Sequence, residues 1–349
     1  MPARLTLSPL ARAVLIALCI VILGAFPLVF SNPATTSIAV FTLIFMVSAS
    51  AWNMFSGNSG YIALGHAVYF GCGAYTLTLL ANHLGIAAGW GVFALVPVAG
   101  IVAGLVAVPT GLIALRARRH TFVVITIAFM FIFQLAAFNL SFTGGSSGLQ
   151  PPTPLWSVKA YNDNFYYVIA VILLATVALS WLLRHSRFGL QLLTIRDDEE
   201  RARGLGVRVG RVKLIAFVIS AIPVGMVGAV YAYFLGQIFP QFAFDPLFDL
   251  SIALMAFIGG LGTVAGPVLG ALVLESLQQY FTQQYGASQA YLIIYGALFL
   301  LVVLLLPRGV IPSLEELIAR RRARSTPPEA PEAGEPGRTG DVIRAAGAG

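Results

Sequence analysis

Apolar residues along this chain gather in blocks of about 20, the length a helix needs to cross a hydrocarbon core roughly 30 Å thick. The blocks cover residues 13–30, 36–55, 61–81, 90–115, 121–139, 166–183, 212–235 and 288–306. Lipid offers the backbone no hydrogen bonds, so each block is expected to be helical. A further apolar region, 247–281, is broken by Gly259-Gly260-Leu261-Gly262-Thr263-Val264-Ala265-Gly266-Pro267. Its first arm, 247–259, makes only about 20 Å of helix, short of a full crossing. Pro267 suits the first turn of a second helix. The pattern predicts an all-α polytopic protein with about eight full transmembrane helices and one broken helical pair.

Composition agrees. The 349 residues are 58% hydrophobic and 10% charged, with mean hydropathy +0.87. A soluble domain carries about 25% charged residues, so an ordinary soluble enzyme is excluded. The net charge of +7 could suit nucleic acid. Its placement at the ends of apolar blocks points instead to the lipid bilayer, and no nucleic-acid partner is expected. Positive charge collects on the cytoplasmic side of membrane helices. With the N-terminus inside and 247–281 counted as a pair, Arg116, Arg118, Arg119, the segment 184–213, Arg308 and Arg320–Arg324 all fall inside. Lys159 alone among the Lys and Arg residues falls outside. The expectation is an inner-membrane protein with both termini cytoplasmic.

Residues 13–30 resemble the core of a signal peptide, but no small-x-small cleavage site follows, so they are read as a retained first helix. The domain expectation is an N-terminal segment with that helix (1–35), a transmembrane domain (36–310) and a cytoplasmic tail (311–349). The tail is rich in Pro, Ala, Gly and Glu and is expected to be largely disordered. Cys19 and Cys72 lie in apolar segments without metal-type spacing and are read as packing residues.

Two connections are too long for simple turns. The outside loop 140–165 holds Thr143-Gly144-Gly145-Ser146-Ser147-Gly148, Pro151, Pro152 and Pro154, then Tyr161-Asn162-Asp163-Asn164, all turn-favouring. The inside loop 184–211 is dense in charges of both signs. Asp197 to Arg203 favours a short helix, with Asp197 and Asp198 at its N-terminal end and Arg201 and Arg203 at its C-terminal end, as the helix dipole prefers. Gly204 or Gly206 would stop it. Either this is a solvated loop or it is a compact docking element.

These residues resemble a family. Phe188-Gly189, Ile195-Arg196-Asp197-Asp198-Glu199, Leu205-Gly206 and Lys213-Leu214-x-Ala216-Phe217-x-x-Ser220-Ala221 look like the cytoplasmic loop of branched-chain amino acid ABC permeases, the LivM type more than the LivH type. Gly60-Tyr61-Ile62-Ala63-Leu64-Gly65-His66, Thr143-Gly144-Gly145-Ser146-x-Gly148 and Gly259-Gly260-x-Gly262-Thr263-x-x-Gly266-Pro267 resemble further segments of it, in order. Leu190 departs from the pattern, where a basic residue is expected, as does the long C-terminal tail. The resemblance implies a homologous second permease, two ATP-binding subunits and a periplasmic substrate-binding protein as partners, and a branched-chain or related amino acid as cargo. It makes Arg196, Asp197, Asp198, Glu199, Arg201, Leu205 and Gly206 the element that couples to the ATPase. The chain has no Gly-x-x-x-x-Gly-Lys-Ser/Thr loop, so no cofactor is expected on it and ATP would bind its partners.

Candidate pathway residues follow from polarity and from glycine breaks. Gly259, Gly260, Gly262 and Gly266 form either a tight structural crossing or a pathway-lining break. Gly60, Gly65, His66 and Asn53 surround another polar turn, with Asn58 and Ser59 beside it. His66 is read first as a hydrogen-bonded packing histidine. Trp52 and Tyr61 fit interface anchoring. Glu275 is read as the only acid well inside an apolar segment, placed there either for a pathway or near the interface. Two rivals remain. A secondary transporter using the broken helices should carry paired intramembrane ionisable groups, and only Glu275 qualifies on this reading. A membrane enzyme should cluster its histidines, whereas His66, His83, His120 and His185 are scattered.

Overall fold

The computed structural model describes residues 9–30 and 32–285, together with Gly296. The expected span 288–306, Gly296 apart, and the tail from 311 onward lie outside the described residues. Those described fold as α1 (Pro9–Val29), α2 (Pro33–Ser59), α3 (His66–His83), α4 (Trp90–Phe93), α5 (Val96–Ala114), α6 (Arg119–Asn139), α7 (Val158–His185), α8 (Arg187–Asp197), α9 (Glu199–Gly204), α10 (Val209–Leu235), α11 (Pro240–Ala243), α12 (Pro246–Gly259) and α13 (Gly266–Tyr285). Six stretches among them are long and apolar enough to cross a membrane: 33–59, 90–114, 119–139, 158–185, 209–235 and 240–259. The chain is a multi-pass all-α membrane protein.

The centre is built on α2, which is buried over most of its length, with α7, α13, α10 and α12 packed around it and α3 and α5 packed on α10. Small residues bring these helices close, as membrane helix packing favours. A Cβ on Gly73 of α3 would collide with the Gly225 carbonyl of α10, and one on Gly228 with the Phe70 carbonyl. The expected broken pair is a helical hairpin. A Cβ on Gly259 would strike the Gly266 carbonyl and one on Gly270 the Met255 carbonyl, so α12 and α13 run antiparallel with their backbones nearly touching.

Two expected boundaries move. The block 61–81 does not begin as helix: residues 60–65 are non-helical and α3 starts at His66. Buried backbone needs partners, and side chains supply them. Trp52 Nε1–H donates to the Ala63 carbonyl (2.6 Å), the Leu64 N–H to Thr126 Oγ1 (3.1 Å) and the Ala63 N–H to Ser56 Oγ (3.2 Å). The block 166–183 begins earlier, because Ser157 caps α7 through the Ala160 N–H. Tyr161, Asn162, Asp163 and Asn164 are therefore helical, not loop.

The bundle has two distinct ends. Residues 57–60, 116–119, 184–208 and 260–265 gather at one, the basic end. At the other, Asn82 meets Gln150, Gly89 meets Tyr233, and Leu149 pairs with Ile238.

Candidate functional site

The segment 184–208 is more ordered than the short helix expected at 197–203. Ser186 caps α8 by accepting the Gly189 N–H (3.1 Å). Asp197 closes α8 rather than opening the next helix. Asp198 alone caps α9, accepting the Glu200 and Arg201 N–H groups at 3.0 and 3.1 Å. Leu192, Ile195 and Ala202 point into the bundle and are buried. Leu190, Leu205 and Arg201 point outward and are exposed. The helix then stops, and Gly206 takes a left-handed φ of 82°.

Glu199 anchors this element. Its Oε2 accepts the Tyr61 hydroxyl at 2.5 Å, and Oε1 receives Arg203 Nη2 at 2.6 Å and Lys213 Nζ at 3.2 Å. The Lys213 side chain is 3% exposed, and its ammonium lies 4.1 Å from the centre of the Tyr61 ring. One carboxylate therefore ties α9 to α10 and to the 60–65 stretch. Burial pushes the Glu199 carboxyl up, but the Tyr61 hydrogen bond and the Lys213 and Arg203 charges outweigh it and hold the group below its ordinary range. Burial and the neighbouring Glu199 push the Tyr61 hydroxyl well above its ordinary value. Tyr61 is buried in this cluster rather than anchored at an interface, and Trp52 is fully buried too. Their polar atoms are spent on protein partners, so the anchoring expectation fails for both.

Arg196 makes a second tie. Its Nη1 donates to the Gly57 carbonyl at 2.7 Å, in the last turn of α2. Gly60 turns with φ 72° beside the Arg196 stem. The same guanidinium passes Gly262, where a Cβ would lie 2.8 Å from Nη1 and where φ is 72°. Arg119 Nη2 donates to the Arg196 carbonyl at 2.8 Å, closing the C-terminal end of α8. Asn53 pins the hairpin turn from α2. Its Oδ1 accepts the Gly262 N–H and its Nδ2 donates to the Thr263 carbonyl, each at 2.8 Å. The structure thus brings together Arg196, Gly60, Asn53 and Gly262, residues the sequence had placed in two separate groups.

The other candidates lie deeper. Gly65 precedes α3, and His66 Nε2 meets Ser220 Oγ of α10 at 3.1 Å while its Nδ1 has no partner. Asp249 of α12 receives the His66 N–H at 2.8 Å and the Ala67 N–H at 3.1 and 3.2 Å, holding the N-terminus of α3. It is 1% exposed, so Glu275 is not the only buried acid within these helices. Glu275 is also 1% exposed; its Oε1 accepts Gln279 Nε2 at 2.8 Å and its Oε2 has no partner. It does not join the Arg196 or Glu199 groups.

Comparison with known proteins settles the family. The pattern of the family described as branched-chain amino acid transport system / permease component matches residues 34–303. The chain belongs to that family. It is 28% identical over 323 residues to the high-affinity branched-chain amino acid transport system permease protein LivM of Escherichia coli K12, covering 84% of this chain and 73% of LivM. It is 26% identical over 291 residues to LivH of the same strain, covering 77% of this chain and 92% of LivH. A shorter likeness, 31% over 129 residues, links it to the autoinducer 2 import system permease protein LsrC of Photorhabdus luminescens, over 36% of this chain and 37% of LsrC. No solved structure matches.

Within this permease, sequence reasoning missed Asp249 and α8. Asp249 stands four residues after Asp245 in an otherwise apolar run, a signal present but unread. The stripe Gly189, Leu192 and Ile195 at three-residue spacing likewise marks one face of α8.

Proposed function

We propose that this permease is the membrane-spanning subunit of an ATP-driven importer of branched-chain or related amino acids, sited in the inner membrane with its basic end in the cytoplasm. It pairs with a homologous LivH-type permease, two ATP-hydrolysing subunits and a periplasmic binding protein. The α8–α9 element receives the motion of an ATPase, and the hairpin α12–α13 carries it to the pathway. The observation behind this reading is the double attachment of that element. Glu199 holds it to α10 and Tyr61, and Arg196 holds it to the end of α2 beside the hairpin turn. A free solvated loop has no use for either tie. The outward-facing Leu190, Arg201 and Leu205 offer a partly apolar docking surface, which gives Leu190 a purpose where a basic residue was expected.

The secondary-transporter reading gains a second buried acid in Asp249, yet family membership favours the ATP-driven cycle. The two readings separate by experiment. Replacing Asp198 and Glu199 by Lys in the assembled complex should lower L-leucine uptake and substrate-stimulated ATP hydrolysis together. Normal uptake at normal expression would end the coupling reading.

A further inference from the structure

At the end of the bundle opposite α8–α9, a cavity of about 220 Å³ opens between α3, the last turns of α10 and the segment that follows it. Ala74, Tyr231, Leu235, Gln237, Phe242 and Ala243 are among its walls. It is smaller than the roughly 300–1,000 Å³ of sites for drug-sized ligands, a size that suits one aliphatic or aromatic side chain.

Three features distinguish it from a surface crevice. Its roof, 236–245, is non-helical apart from the single turn of α11, and it dips into the bundle. The Leu149–Ile238 pair holds it at one side, and Gln134 Nε2 donates to the Phe244 carbonyl at 3.0 Å on the other. The Phe244 ring sits against Gly71 of α3 and stacks on Tyr75 at 5.9 Å. Such backbone persists at membrane depth where protein covers it or where it lines a cavity. Secondly, Tyr75, next in sequence to the lining residue Ala74, is buried with a hydroxyl that has no hydrogen-bond partner. Thirdly, an acid stands close by in the chain. Asp245 follows Ala243 by two residues, is half-buried, and spends Oδ1 on the Leu247 N–H.

An apolar cavity with an acid beside it suits a solute that carries a hydrocarbon group and an ammonium. We propose that this cavity receives the hydrocarbon side chain of the transported amino acid at the outer end of its path, with Asp245 on the side of the ammonium. This rests on the importer reading above and adds the place and the chemistry of side-chain selection.

The test uses the complete importer in proteoliposomes, with labelled L-leucine and L-alanine as probes. Ala74→Leu narrows the cavity and should cut L-leucine uptake at least about tenfold, the ratio that 1.4 kcal/mol represents, with L-alanine uptake little changed. Phe242→Ala, at an exposed wall position, widens it and should favour L-phenylalanine over L-leucine relative to wild type. In a Gln237→Cys variant with Cys19 and Cys72 replaced by Ala, L-leucine should protect the new thiol from maleimide and glycine should not. A parallel loss of both amino acids in Ala74→Leu, with no preference shift in Phe242→Ala, would overturn the proposal. So would a thiol blocked without L-leucine, which would place a lipid or a partner subunit in the cavity. Wild-type uptake of L-leucine with an unprotected thiol overturns the cavity alone; no wild-type uptake of any amino acid overturns the importer reading instead.

Discussion

Replacing Glu199 by Gln removes one charge from a site where three donors converge. The strongest consequence falls on Lys213, whose side chain is 3% exposed and keeps no other carboxylate among the described residues. Breaking a buried pair by removing one partner costs about 3–5 kcal/mol. Glu199 is itself 19% exposed, so solvent reaches the pair and the lower end applies. Arg203 is 63% exposed, so its bridge adds at most about 1 kcal/mol. The Gln side chain still accepts one hydrogen bond, and the Tyr61 ring still faces the ammonium. A loss of about 2–3 kcal/mol follows. Adding Lys213→Met should restore most of it, because the buried cation disappears with its partner. The sign with pH is fixed by the lowered carboxyl. Its stabilisation is full above the ordinary glutamate value of about 4.3 and is lost as pH falls through the lower value in the folded protein, in wild type but not in Glu199→Gln. Reversible unfolding of the purified protein in detergent, run as a double-mutant cycle, measures both effects. A Glu199→Gln variant as stable as wild type, or a Lys213→Met addition that worsens the loss, would mean that Glu199 does not neutralise a buried Lys213.

Further outcomes are expected. Asp198→Ala removes the cap of α9 and should cost about 0.5–2 kcal/mol, seen as a lower unfolding midpoint with Asp198→Asn near wild type. Asp249→Ala strands the His66 and Ala67 N–H groups at about 1–3 kcal/mol each, whereas Asp249→Asn keeps an acceptor; thermal unfolding of the two should differ clearly. Membrane-impermeant maleimide added from the periplasmic side should label cysteine at position 147 and leave one at 186 unreactive, and the reverse pattern would invert the proposed orientation.

Much of the architecture was legible because lipid enforces it. Apolar blocks of spanning length had to be helices, and Gly259 to Pro267 had to interrupt one. The hairpin, the sharp turn at Gly60 and the cap at Asp198 rest on residue types whose local preferences are strong. What escaped the sequence depends on contacts far along the chain. Trp52 and Tyr61 look alike in composition to interface aromatics, and only the Ala63 carbonyl and Glu199, 138 residues away from Tyr61, reveal their buried roles. Nothing local says that Asn53 reaches residues 262 and 263. The non-helical stretch 60–65 was hidden for the same reason: its apolar side chains read as a span, while its backbone is satisfied by Trp52, Ser56 and Thr126.

Arg196 is proposed to pass motion from α8–α9 to α2 and the hairpin turn. The direct measurement is L-leucine delivered per ATP hydrolysed by the reconstituted importer bearing Arg196→Ala. Removing a charge-assisted hydrogen bond worth about 1.5–3 kcal/mol should lower that ratio by about 10- to 100-fold while ATP hydrolysis continues. A wild-type ratio at wild-type turnover would show that Arg196 carries no motion.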